Sequence, residues 1–221
     1  MNDDAPAFGN PGSGQLAAAL GRGDDAAARE LIAAGASPDA IDADGVPLLQ
    51  WTMLRDDRAA FRRLLALNAD PTVPNADGQT AIHLAAMGKQ TYWLDALLET
   101  GANVDQPNTR TGATPLFDAL RAGLPANVAR LREAGARLDV RSRDGTTPLH
   151  QAALVNDLAA TRAFLEAGAD PRATDDASAT FQDYLFDGDP KILNATSKRE
   201  LSAIRALLSR AGVGITAASL R

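Results

Sequence analysis

The 221-residue chain contains no cysteine. Disulfides, thiolate nucleophiles and cysteine-based zinc sites are therefore excluded. Histidine occurs only at His83 and His150, so acid–base chemistry near neutral pH has little to draw on. Aromatic residues make up 5% of the chain and hydrophobic residues 45%, which leaves Ala and Leu to build the core. Both favour helices, and Ala lets helix backbones approach closely. No apolar run reaches the roughly 18 residues that a membrane helix needs. The opening MNDDAPAFGNPGSG lacks the basic-then-apolar pattern of a secretory signal. As it stands the sequence reads as cytoplasmic, or periplasmic if a leader has been removed. The net charge of -6 argues against a phosphate-backbone partner, which calls for clustered Lys and Arg. The expected partner is another protein, not a nucleic acid or a membrane.

What is present is self-similarity. Gly45, Gly78, Gly112 and Gly145, each in a turn motif such as ADGQTAIH or DGTTPLH, are spaced 33, 34 and 33 residues apart. A second ladder of Gly35-Ala36, Asn68-Ala69, Gly101-Ala102, Gly135-Ala136 and Gly168-Ala169 keeps steps of 33, 33, 34 and 33. The one extra residue falls in the same interval of both ladders, so one period governs both. Between them, small residues (Ala85-Ala86, Ala119, Ala152-Ala153) follow the first motif. Leu pairs or their equivalents (Leu31-Ile32, Leu64-Leu65, Leu97-Leu98, Leu131, Phe164-Leu165) precede the second. Physically, Thr147 supplies a hydroxyl to cap a helix start and Pro148 fits the first helical position; Thr114-Pro115 repeats the pair. Leu149, Leu116 and Ile82 are expected to point inward. The glycine after each second helix takes the left-handed conformation that closes it.

At these positions the sequence resembles the ankyrin-repeat family, best over about residues 14–173. The resemblance implies an all-α fold: an ankyrin-repeat solenoid of stacked antiparallel helix pairs with protruding β-turn or hairpin loops. The expected organisation is a flexible tail at 1–13 and a single domain at 14–221. That domain divides into an N-terminal capping repeat (14–41), repeats at 42–74, 75–107, 108–140 and 141–173, and a degenerate closing repeat with an insertion (174–221). His83 and His150 share one slot, which the family uses as a structural hydrogen-bonder tying hairpin to helix; Gln50 and Phe117 occupy it in the other units. No nucleophile or acid recurs beside it, so the chain is expected to be non-enzymatic, with no cofactor and no metal.

The resemblance implies partner binding through the concave helix face and hairpin tips, where residues vary within the constant frame. These are Asp44, Val46, Trp51, Leu54 and Arg55; Asp77, Gln79, Met87 and Gln90; Arg110, Thr111, Ala113 and Arg121; and Arg143, Asp144, Thr146, Leu154, Val155 and Asn156. Trp51 reads either as core filler or as an exposed aromatic on that face, Trp93 as core, and Tyr92 as exposed. Residues 108–143 hold seven arginines against three acids, a basic band between acidic flanks that suits a partner of complementary charge. Two further readings stand beside the general one. The TFQDYLF segment and appended last helix resemble bacterial immunity proteins that block a secreted antibacterial effector in a one-to-one complex. Alternatively, the polar insertion (Asp183, Asp187, Asp189, Lys191) carries carboxylates for metal or acid–base work. Capping repeats at both ends imply a monomer.

Overall fold

The computed structural model describes residues 8–185 and 194–215. Two compact units, Met1–Arg110 and Thr111–Arg221, divide the chain. The first holds α1 (Pro11–Arg22), α2 (Asp25–Ala33), α3 (Leu48–Leu54), α4 (Arg58–Ala66), α5 (Ala81–Met87) and α6 (Tyr92–Glu99). The second holds α7 (Pro115–Arg121), α8 (Pro125–Glu133), α9 (Pro148–Leu154), α10 (Leu158–Glu166), α11 (Phe181–Tyr184) and α12 (Ala195–Arg210). Within each unit, consecutive helices pair and the pairs pack on their neighbours: α1 on α2 and α4, α3 on α4 and α5; α9 on α7, α10 and α11, and α12 on α10.

Local chemistry explains most of the helix starts. The odd-numbered helices from α5 to α11 start after a threonine: Thr80, Thr114, Thr147 and Thr180 are their caps. Asp24, Asp57 and Asp157 cap α2, α4 and α10 by accepting from the backbone N–H three residues on, which satisfies a donor that has no partner inside the helix. The second helices then close on a left-handed residue. Asn68, with φ +61°, stands where the other units have glycine, a substitution asparagine tolerates because its short side chain fits that conformation. The core follows the sequence pattern. Leu48, Phe61, Leu64, Leu94 and Leu97 are fully buried in the first unit, and Leu116, Leu131, Phe164 and Phe181 in the second. The alanine pairs Ala85-Ala86 and Ala152-Ala153 are likewise inaccessible, which is what allows short helices to lie so close.

Hairpin tips project between the helix pairs and are fixed by their own side chains. Asp42 Oδ1 accepts from the N–H groups of Asp44 (3.0 Å) and Val46 (2.8 Å). Asn75 Oδ1 does the same for Asp77 and Gln79, and Asp175 Oδ1 for Ala177 and Ala179. Successive tips are joined by backbone bonds: Ala76 N–H to Gly45 O (3.1 Å) and Thr109 N–H to Gly78 O (3.0 Å) in the first unit, and Arg143 N–H to Thr111 O (2.8 Å) and Asp176 N–H to Asp144 O (3.0 Å) in the second. Gly145 is required at its tip, because φ is +77° and a Cβ there would lie 2.5 Å from Asp176 Oδ1.

Three sequence expectations are revised. Residues 8–13 were assigned to the tail, but α1 begins at Pro11, capped by Asn10, and Phe8 is buried. The reason lies in the register: Phe8 is one 33-residue period before Ile41 and occupies the hairpin position of a truncated first repeat. Tyr92 is not exposed. It is half-buried beneath the guanidinium groups of Arg58 and Arg62, 4.6 and 5.4 Å from its ring centre. The basic band does not form one patch: Arg130 and Arg132 lie on α8, and Arg132 bonds the carbonyl of Ala136. Arg137 pairs with Asp139.

Candidate functional site

In the second unit, the hairpin tips and first helices of two adjacent repeats enclose a groove of about 310 Å³. Thr111, Ala113, Phe117 and Arg121 come from one repeat and Ser142, Arg143, Asp144, Thr146 and Gln151 from the next. Of the sequence-derived candidates, Thr111, Ala113, Arg121, Arg143, Asp144 and Thr146 are thus brought together. Phe117, Ser142 and Gln151 were missed as groove residues. Phe117 had a legible signal, since an aromatic stands in the slot where other units carry a polar side chain; it forms the buried floor.

The polar walls are pre-arranged. Arg121 pairs with Asp118 one turn earlier, whose side chain is 1% exposed while that of Arg121 is 58% exposed. A carboxylate fixed in the protein thus orients a guanidinium that still presents most of its donors outward. Asp144 accepts from Ser142 Oγ (2.5 Å), Thr146 Oγ (2.9 Å) and Thr146 N–H (3.2 Å). The Ser142 hydroxyl, helped by Thr146, holds the Asp144 carboxyl below its ordinary range. The groove is therefore lined by fixed ionic and hydroxyl groups over an apolar floor.

The first unit presents a different surface. Asp44 and Val46 sit at the locked tip described above. Trp51 is half-buried: the Phe8 ring meets it edge-on, with centroids 6.3 Å apart and planes at 79°, and the Arg55 guanidinium lies 4.9 Å from its centre. It is neither pure core nor a bare aromatic. Leu54, one turn on, is 67% exposed. Gln79 donates to Met87 Sδ at 3.7 Å, and Arg110 straps the neighbouring tip through Ala76 O (3.1 Å) and Asp77 Oδ1 (3.5 Å). Trp93 is core, edge-on to Phe61 at 5.0 Å.

Two candidates lie away from the hairpin face. Gln90 sits between α5 and α6, where Arg58 donates to its Oε1. Asn156 makes the turn between α9 and α10 with φ +55°. Leu154 and Val155, just before it, are exposed.

The histidine slot has a structural geometry. Thr147 N–H and Oγ both point at His150 Nδ1 (3.3 and 2.8 Å), and His150 Nε2 reaches Ala179 O (3.1 Å) in the next hairpin. Nδ1 accepts and Nε2–H donates, which ties helix start to hairpin. Gln50 performs the second half of this task, donating from Nε2 to Gln79 O (2.9 Å) and Val73 O (3.1 Å). At the closing repeat Asp183 takes the slot, accepting from Thr180 N–H (2.7 Å) and Oγ (2.9 Å). Its carboxylate is engaged in capping; Asp187, Asp189 and Lys191 lie outside the described residues. Among the described residues no three His, Asp or Glu side chains converge on a common point, and no helix is long and apolar enough to cross a membrane.

Comparison with known proteins agrees with this architecture. A family model for ankyrin repeats in three copies matches residues 15–108, 48–142 and 94–175. The chain is similar to Protein PhlB of Serratia liquefaciens, 37% identical over 159 residues that cover 71% of this chain and 68% of that protein. It is also similar to part of the E3 ubiquitin-protein ligase KEG of Arabidopsis thaliana, 41% identical over 105 residues, but spans only 6% of that protein. The crystal structure of the ankyrin repeat domain of Bcl-3 superposes with a TM-score of 0.68 at 26% identity, covering 86% of this chain and 81% of that domain. EF0377, an ankyrin repeat protein, superposes with a TM-score of 0.67 at 22% identity, covering 90% and 98%. Ankyrin repeats are a general protein–protein interaction module, and this chain belongs to the ankyrin-repeat family.

Proposed function

We propose that this protein is a non-enzymatic binding module that grips a partner protein with its hairpin tips and the exposed sides of its first helices. The observation that carries the reading is the groove of the second unit. Arg121 and Thr146 differ from their counterparts in every other repeat, Arg143 recurs only as Arg110, and Asp144 matches Asp44 and Asp77; the combination is particular to this groove, while the buried frame beneath it is repeated. Fixed charged groups over an apolar floor supply both orientation and contact area to a polypeptide. Ionised groups held by neighbours do not reorganise on binding, which favours a specific partner over a promiscuous one.

The test is charge reversal. Arg121→Glu with Arg143→Glu should weaken capture of the cognate protein from the source cell by at least tenfold. The control pair Arg29→Glu with Arg199→Glu, on second helices, should leave capture unchanged. Equal loss in both pairs, or in neither, overturns the reading. A narrower form, an immunity protein that blocks a secreted effector, is favoured by the similarity over most of its length to a bacterial protein. It predicts that an effector encoded beside this gene loses its activity when mixed with the purified chain in equimolar amount.

A further inference from the structure

In the first unit, the chain already shows what its end surface accepts. Phe8 lies in a Gly- and Pro-rich stretch, yet only 5% of it is exposed. Its backbone pairs antiparallel with Asp42 through a single isolated bridge, and its ring is seated against Trp51. The full repeats differ: there each tip has a complete hairpin and a bond to the next tip. The truncated first repeat runs directly from Phe8 into α1, so it lacks the returning strand. Asn10 is anchored separately, donating to Gly35 O (3.3 Å) and capping Gly12 N–H (2.9 Å). Gly9 stands between the two attachments with no atom within 4 Å of where a Cβ would be. The Phe8 contact and the Asn10 cap of α1 are thus separate attachments on either side of Gly9.

The seat itself persists without Phe8. Arg55 stacks on the Trp51 ring, Leu54 extends the apolar surface, and Ile41 at the hairpin base is 43% exposed. The Asp42 N–H and C=O are bonded within their own hairpin, but the antiparallel bridge to Phe8 shows that an extended segment lies along this hairpin, and the Trp51 ring selects an aromatic side chain beside it. We propose that this seat is a docking site for an extended partner segment carrying an aromatic residue, and that Phe8 occupies it in the absence of that segment. The proposal rests on the reading of this face as the partner-binding one and adds the chemistry of one contact. Because Phe8 competes, its removal should raise the apparent affinity by the reciprocal of the fraction of time the seat stands open, about tenfold for a seat filled roughly nine-tenths of the time.

The probe is a synthetic peptide of residues 4–12, DAPAFGNPG, beside the same peptide with Phe8→Ala. Binding to the full chain is read from the two indole N–H resonances, assigned with Trp51→Phe. The aromatic peptide should shift the Trp51 signal saturably, leave Trp93 unmoved, and bind the Phe8→Ala chain about tenfold more tightly than the native chain. The alanine peptide should shift neither. No shift in the Phe8→Ala chain, or equal shifts with both peptides, overturns the proposal, and an unaltered Trp93 signal in that chain establishes that it is folded. If the seat fails while capture still depends on Arg121 and Arg143, only the seat falls.

Discussion

Thr114 and Thr147 hold the same position in successive repeats but have different surroundings. The Thr147 hydroxyl is matched by His150 Nδ1. Among the described residues the Thr114 hydroxyl has no hydrogen-bond partner, because Phe117 stands where a polar side chain would receive it. Both threonines are buried. Removing a satisfied hydroxyl costs the bond and strands its partner, whereas removing an unsatisfied one relieves a desolvated group. Thr147→Val should therefore lower stability by about 1–2 kcal/mol in urea denaturation, and Thr114→Val should be neutral or mildly stabilising, within about 0.5 kcal/mol. The same contrast explains why the histidine question was legible at the residue scale. A slot filled by His, Gln, Phe and Asp in different units does not preserve a proton-transfer group. It preserves a position, and three of its four occupants are hydrogen-bonded there.

At the scale of elements, α11 is the weakest piece by length. Four residues make a single turn, too short to persist by helix propensity alone. It is held by Phe181 in the core and by a bond from Tyr184 Oη to Asp175 in its own hairpin. That phenol, more than the backbone N–H groups also bonded to it, holds the Asp175 carboxyl below its ordinary range, and Tyr184 is raised in turn. A depressed carboxyl contributes stability above its unfolded value, about 3.9, and loses it as pH falls through the folded value. Tyr184→Phe should therefore lower stability at pH 7, and its gap from the native protein should narrow below about pH 4. A gap independent of pH would mean the ionised carboxylate is not involved.

Elements were legible in the sequence where their signals are local: Thr-Pro starts and left-handed closings each act within a turn. The failures are long-range. Phe8 is buried by Asp42 and Trp51, more than thirty residues away, and Tyr92 is covered by arginines of the preceding helix pair. The arginines of residues 108–143 looked like a band because they are close in sequence. A helix pair reverses direction within one repeat, so neighbours in sequence are distributed to opposite faces.

For the molecule as a whole, each unit repeats a buried frame and varies what stands on it. The frame is nearest-neighbour in character, as in other repeat proteins, and its tips are locked by side chains of their own hairpins before any partner arrives. The net charge of -6 sets a general repulsion from acidic surfaces, while Arg121 and Arg143 provide the local exception in the second unit. The central claim is that partner contact falls on the tips and first helices. Hydrogen–deuterium exchange of the full chain, with and without its captured partner, measures this most directly. The account predicts new protection at residues 42–46, 75–79, 108–113 and 142–146 and along α3, α5, α7 and α9. Protection confined to α4, α6, α8 and α10, with the tips exchanging as before, would contradict it.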